Sequence, residues 1–234
     1  MTITYGQQPV PVPIRSYSSI TSASVWSSAT VNVLSGWPVR RGLGSTPDIL
    51  ESMRPLRYSI NVTLDGCIDH LAGTMPDQQS HQHAADTIAR ADALILGRTM
   101  YQLMEFWRDP PADLPDWTRP FAVAMNDAHK YLVSSTLEPH GWNTDSLDGD
   151  VVQAVRNLKQ QPGQGLYVGG LTLARALAEA RLIDEYELVV HPRIAGHGPR
   201  LFEELADPLD LRLVDLTVFD SGVRVERYVP VLAT

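Results

Sequence analysis

Apolar and polar residues alternate from Leu56 to Thr63, with Leu56, Tyr58, Ile60 and Val62 set against Arg57, Ser59 and Asn61, which predicts a strand. The period then lengthens. Gln78 to Arg90 reads as a helix burying Ala84, Ala85, Ile88 and Ala89, and the continuous apolar run Ala93 to Leu96 reads as a buried strand. Gly97-Arg98-Thr99 opens a further helix through Met100, Leu103 and Met104. Pro110, Pro111 and Pro115 then mark a loop. Trp117 to Asn126 is predicted helical, Lys130 to Val133 a strand, and Asp150 to Gln160 a helix with Val151, Val152, Val155 and Leu158 inward. At the far end, Leu211 to Phe219 and Val223 to Val229 flank Asp220-Ser221-Gly222, the pattern of a hairpin.

The centre of the pattern lies between these. Leu166 to Val168 is a short strand, Gly169 and Gly170 form a tight turn, and Leu173, Ala174, Leu177 and Ala178 recur at helical spacing up to about Arg181. Glu185 to His191 then alternates Tyr186, Leu188 and Val190 on one face, completing a strand-helix-strand unit. Without Cβ atoms, a glycine pair lets the chain turn sharply and lets a ligand approach the peptide N–H groups. The following helix start adds unpaired donors and a positive dipole end suited to phosphate. The pair alone is equally a plain turn. Taken together, the elements predict a mixed α/β domain with a mainly parallel central sheet and an antiparallel end.

Gly-Gly, a helix, Leu-Ile-Asp-Glu (182–185), a strand, Pro192, and Gly196-x-Gly198 before Leu201-Phe202 occur here in one order and spacing. This resembles the dihydrofolate-reductase-like superfamily, in the branch of the bacterial riboflavin-biosynthesis reductase C-terminal domain, over roughly Arg54 to Pro230. The resemblance implies a three-layer αβα fold and an NADPH-dependent reductase. The substrate would be a small pteridine- or aminouracil-like heterocycle, or an imine or carbonyl of that class, possible work in riboflavin biosynthesis included. It also implies sites. Thr63-Leu64-Asp65-Gly66 stands where the superfamily joins nicotinamide and substrate, with Asp65 the expected proton donor or polar contact and Asn61 and His81 the substrate-side residues. Gly97, Arg98 and Thr99 would hold cofactor phosphates, Ser134 and Ser135 would lie near the adenosine and its 2′-phosphate, and Gly169, Gly170, Leu171 and Thr172 would complete the cofactor site. A guanidinium suits a phosphate, while a cation at a helix start is otherwise disfavoured by the dipole.

Two positions depart from the family pattern. Members acting in riboflavin synthesis carry Glu before the Gly-Gly turn, where this chain has Val168, which argues against that step. No carboxylate on the 78–90 helix matches the one that grips pterin in dihydrofolate reductases, which argues against folate reduction.

Composition narrows the partners. A net charge of −8 with pI about 5.3 argues against nucleic acid or an anionic membrane as the main partner, and no apolar stretch is long enough to span a bilayer. Cys67 is the only cysteine, so no intrachain disulfide forms and a cytoplasmic setting is expected. His81 and His83 lie two apart on a helix and point to different faces without a third ligand, so no metal site is expected. Residues 1–53 are proline-rich, then Ser/Thr-rich, with no recurring apolar period. They are expected to be a disordered or misassigned extension preceding a reductase domain at 54–234. A homodimer is the assembly considered. A different class of function, a non-catalytic NADPH-binding sensor or scaffold, shares every one of these cofactor residues.

Overall fold

The computed structural model describes residues 53–203 and 205–231; the expectation for the N-terminal extension lies outside them. The strands are β1 (Leu56–Thr63), β2 (Ala93–Gly97), β3 (His129–Val133), β4 (Thr144–Ser146), β5 (Leu166–Gly169), β6 (Glu185–His191), β7 (Leu211–Val218) and β8 (Arg224–Pro230). The helices are α1 (Gln78–Ala89), α2 (Arg98–Met104), α3 (Arg119–Asp127), α4 (Val151–Lys159) and α5 (Leu171–Glu179). Short 3-10 turns at Glu105–Arg108 and Asp116–Thr118 fill the interval between α2 and α3.

One eight-stranded sheet has the order β4-β3-β2-β5-β1-β6-β8-β7. It is parallel from β4 to β6, while β8 runs antiparallel to both β6 and β7. Strand alternation divides the core. Ala93 and Ile95 join Leu56, Tyr58 and Val168 beneath α4 and α5, whereas Leu94 and Leu96 join Met125 and Leu132 beneath α3. The result is the predicted three-layer αβα architecture.

Two features depart from the pattern reading. β4, Thr-Asp-Ser, has no apolar alternation because it is a short edge strand bonded only to β3. On α1, Ala89 is exposed and Thr87 is buried, since a polar group rather than a hydrophobic one lies beneath the helix. That group is Glu187 of β6. It accepts from His83 Nε2 at 3.0 Å and Thr87 Oγ1 at 3.4 Å, with Arg90 Nη2 3.7 Å away. Burial alone would raise its pKa, but the His83 hydrogen bond and charge, with Arg90, outweigh that and leave it lowered.

The opposite, N-terminal edge of the sheet is latched by charge. Arg54 is buried, its Nε donates to Asp92 Oδ2 at 2.7 Å, and Asp92 also accepts from the backbone of Gln164 and Gly165. Asp184 accepts from Leu56 N at 2.7 Å and Lys159 Nζ at 2.5 Å. These bonds bind the start of β1 to both halves of the sheet.

Candidate functional site

In a parallel sheet, ligands gather where the strands end and loops diverge. The C-terminal ends of β1, β2, β3, β5 and β6 all lie on one edge, so the chain brings Asn61, Thr63, Gly97, Val133, Gly169 and His191 to that edge. Every residue expected from the sequence except His81 belongs to a strand end here, its exit loop, or the first turn of the next helix.

The cofactor-side group is the more complete. Gly97 is extended (φ −70°) and Gly170 adopts φ +108°, a conformation that needs glycine. The two turns touch: a Cβ placed at Gly170 would lie 3.7 Å from Gly97 N. Gly169 has a different role, since a Cβ there would come within 3.0 Å of Leu96 and Met100 side-chain carbons, so its glycine lets β2 and β5 pack. α5 starts at Leu171 without a side-chain cap, leaving its first amides, including that of Thr172, unpaired by any cap. Leu171, Thr172, Arg98 and Thr99 are exposed.

Arg98 reaches from the start of α2 across to the loop after β3, donating from Nη1 to Thr136 Oγ1 at 3.0 Å. Among the described residues no carboxylate pairs with it. That loop is shaped by Ser134, whose Oγ accepts from Thr136 N at 3.2 Å and Leu137 N at 2.9 Å. The Ser134 hydroxyl proton therefore remains to be donated, and Ser135 beside it is exposed. A guanidinium without a carboxylate partner among the described residues, hydroxyls and uncapped amides thus gather at one strand edge, and donors of these kinds suit an anion.

The substrate side differs from expectation at two residues. Asp65 accepts from Thr63 Oγ1 at 2.6 Å, Ala195 N at 3.0 Å and Gly196 N at 2.8 Å. The Thr63 hydroxyl and those two amides hold its pKa well below the ordinary carboxylate range. Arg200 bonds the Asp65 carbonyl, and Leu201 N donates to Gly66 O at 3.1 Å. Asp65 is thus an ionised clamp that fastens the Gly196-x-Gly198 loop to the β1 exit. Those bonds favour the ionised carboxylate, which runs against the proton-donor half of the expectation for Asp65.

His81 is the second correction. Its ring meets Trp107, Trp117 and Phe121 edge-on, each at 5.2 Å between centroids, and its Nδ1 is buried without a partner. The structure gives His81 to aromatic packing between α1 and α3 instead of to a polar substrate contact.

The residue that pattern reading passed over is His191. Attention to Tyr186, Leu188 and Val190 on one face of β6 left Glu187 and His191 on the other, where both are buried. His191 Nδ1 meets Thr74 N at 3.1 Å and Thr74 Oγ1 at 2.7 Å, and Nε2 meets Asn61 Oδ1 at 3.0 Å. No periodicity could have announced it; a histidine directly before the loop-opening proline was the one available sign.

Burial lowers the pKa of His81, and of His191 as well, where Asp77 opposes the effect and Arg193 adds to it. Both groups are therefore uncharged in the fold above the ordinary histidine value of 6.5, while the unfolded chain gains protons near that value. Stability should be full above about pH 6.5 and fall as the pH drops through the lower folded values. The lowered carboxylates Asp65, Asp77, Asp92 and Glu187 lose their contribution only in a more acidic window, below their ordinary 3.8 to 4.5. Thermal melts between about pH 7.5 and 5 check this, and a midpoint that does not fall over that range would contradict the burial argument.

A cavity of about 770 Å³ lies elsewhere, between α1 and α3, lined by Asp86, Asp92, Asp116, Asp127 and Arg119 together with alanines. A second cleft of about 220 Å³ lies at the edge itself, between the start of α5 (Leu171, Thr172, Arg175) and the Pro199–Glu203 segment. Among the described residues no group of three or more His, Cys, Asp or Glu side chains could hold a metal, and no helix is long and apolar enough to cross a membrane.

Comparison with known proteins agrees with this fold. The family described as the RibD C-terminal domain matches residues 54–225. The chain is 26% identical over 179 residues to the uncharacterised protein YyaP of Bacillus subtilis (strain 168), covering 73% of this chain and 92% of that protein. A solved structure from Shewanella sp. PV-4, named for riboflavin biosynthesis, aligns with a TM-score of 0.58 at 21% identity, over 76% of this chain and 99% of the other. Dihydrofolate reductase from Enterococcus faecalis, solved with NADP(H), aligns with a TM-score of 0.52 at 14% identity, over 75% and 96%. At those identities the two structures speak for the fold.

Proposed function

This chain belongs to the RibD C-terminal domain family, and we propose that it is an NADPH-dependent reductase acting on a small heterocycle of the pteridine or aminouracil kind, or on a related imine or carbonyl. The observation that carries this reading is Arg98, held by Thr136 but by no described carboxylate, beside the touching Gly97 and Gly170 turns and the uncapped start of α5. Bound there, NADPH supplies the hydride. The protein supplies phosphate contacts from Arg98 and backbone amides, hydroxyl contacts from Thr99, Ser134 and Ser135, and a substrate edge on Asn61. Asp65 contributes by holding the 195–196 loop in place.

An aminouracil reductase of riboflavin biosynthesis is the narrower reading. Val168 bears on it: the position before the Gly-Gly turn is fully buried in the core beneath α5 and offers no carboxylate. Substrates within the class but outside that step are therefore favoured.

Fluorescence titration with NADPH tests the site. Gly170→Ala would be strained by its φ of +108° whatever binds, so Gly97 is the cleaner position. A methyl at Gly97 meets nothing closer than 3.9 Å, so Gly97→Ala should melt as the parent does. It should nonetheless bind NADPH at least tenfold more weakly, about 1.4 kcal/mol, because the added carbon stands at the phosphate turn. Unchanged affinity would remove Gly97 from the cofactor site. NADPH binding without oxidation across a broad panel of carbonyl and imine heterocycles would instead favour a sensor or scaffold.

We further propose that residues 54–234 form the reductase domain, because among the described residues Arg54 is the first bonded into the fold, through Asp92 and Lys159 O. Removal of residues 1–52 should leave the melting temperature and NADPH affinity unchanged. A large loss of either on truncation would move the boundary.

A further inference from the structure

His191 and Asn61 form an oriented pair at the substrate side of the edge. A backbone N–H can only donate, so Thr74 N, 3.1 Å from His191 Nδ1, makes Nδ1 an acceptor. An uncharged imidazole that accepts at Nδ1 carries its proton on Nε2. Nε2 then donates to the carboxamide of Asn61 at 3.0 Å, which requires the oxygen, not the NH2, to face the histidine. The other end of the amide follows. Asn61 is exposed, and its NH2 has no hydrogen-bond partner among the described residues. Asn61 shares a face of β1 with Thr63, whose register partner is His191, so the free NH2 lies at the same strand ends as the cofactor set. Large apolar side chains stand exposed on the neighbouring loops: Leu64, Leu71 and Met75 after β1, and Ile194 after β6.

We propose that His191, with its proton on Nε2, is a positioning residue that fixes the Asn61 amide so that its NH2 is the donor offered to substrate. The pair thereby selects an uncharged ring that presents a carbonyl oxygen or an unprotonated ring nitrogen at that point. The selection rests on the reductase reading above; the orientation does not. A ring bearing an N–H or amino group there would meet donor against donor, and such a mismatch, once the ring covers the amide, discriminates more sharply than apolar fit. The exposed apolar rim suits the flat body of such a ring. Glu187, four residues back on the same face of β6, takes no part, being bonded to His83 and Thr87.

Two measurements on the full chain decide the matter. The first is 15N NMR of histidine-labelled protein, with the His191 signal assigned by its loss in His191→Gln. The expected result is a single tautomer protonated at Nε2, which relaxes toward a mixture in Asn61→Leu. A proton on Nδ1, or a tautomer indifferent to Asn61→Leu, overturns the orientation. The second is NADPH oxidation with a panel of pyrimidine-2,4-diones, pteridines and cyclic imines as probes. For whichever probe is reduced, Asn61→Leu and His191→Phe should each raise KM at least about tenfold with little change in kcat, and His191→Gln, which keeps a donor, should recover part of the loss. An unchanged KM in Asn61→Leu overturns the selection. Reduction of no probe sinks the reductase reading and the selection with it, while the NMR result still judges the pair.

Discussion

Arg98→Ala is expected to weaken NADPH binding by about 1.5 to 3 kcal/mol, the usual range for hydrogen bonds to a charged group, and to weaken NADH binding by clearly less. The reasoning is electrostatic. Arg98 begins a helix, where its charge faces the positive end of the dipole, and no described carboxylate offsets that cost. A guanidinium held there by one hydroxyl, Thr136 Oγ1, is poised for a phosphate. The hydroxyls of Ser134 and Ser135 stand on the same loop, which is why the extra phosphate that separates the two cofactors is expected on this side. Because the side chain is exposed, its removal leaves the fold intact, and the parent melting temperature should persist. Parallel titrations at fixed salt measure the effect. Equal losses for the two cofactors would place Arg98 away from the 2′-phosphate.

Glu187→Ala should produce the largest loss of stability, about 2 to 4 kcal/mol, because it removes a buried carboxylate and strands its donors. With only 4% of the residue exposed, Glu187 joins β6 to α1 through His83 and Thr87 beside Arg90. In a domain of this size the melting temperature should fall by roughly 5 to 15 °C. Glu187→Gln keeps the shape and one acceptor, and should lose less. Since the carboxyl pKa is lowered in the fold, the contribution is present above its ordinary 4.5 and is lost as the pH falls through the folded value. Melts of both variants near neutral pH, where the carboxylate is ionised, are the check. A loss under about 1 kcal/mol would show that the α1–β6 seam is held by its apolar neighbours alone.

The proposed cofactor site and the stability seam lie on different parts of the same sheet, so the two variants separate binding from folding. Arg98 changes the first with the melting temperature preserved. Glu187 changes the second, and its effect on cofactor affinity should be confined to what loss of folded protein explains.

The amino-acid sequence by itself determined the elements and pointed to most of the residues that meet at the C-terminal strand ends. Alternation from Leu56 to Thr63, the apolar run Ala93 to Leu96, and Leu173, Ala174, Leu177 and Ala178 after a glycine pair are local signals, because burial on one face imposes a period on neighbouring residues. The hairpin was legible for the same reason, from its turn residues Asp220-Ser221-Gly222. Gly97, Arg98 and Gly170 announced themselves through residue types that a strand-to-helix turn and an anion require. Tertiary structure decided everything that depends on a partner distant in the chain. Asp65 reads from the sequence as a proton donor or polar contact, whereas Ala195 and Gly196, 130 and 131 residues away, supply the amides that favour its ionised form. His81 became a packing residue only once Trp107, Trp117 and Phe121 closed around it. Glu187 and His191 interrupt an apolar strand and carry no period of their own, so their bonds to α1, Thr74 and Asn61 left no mark on the pattern. The physical reason is common to all four: hydrophobic burial is written residue by residue along the chain, whereas the protonation and orientation of a polar group are set by whichever donors and acceptors the fold brings to it.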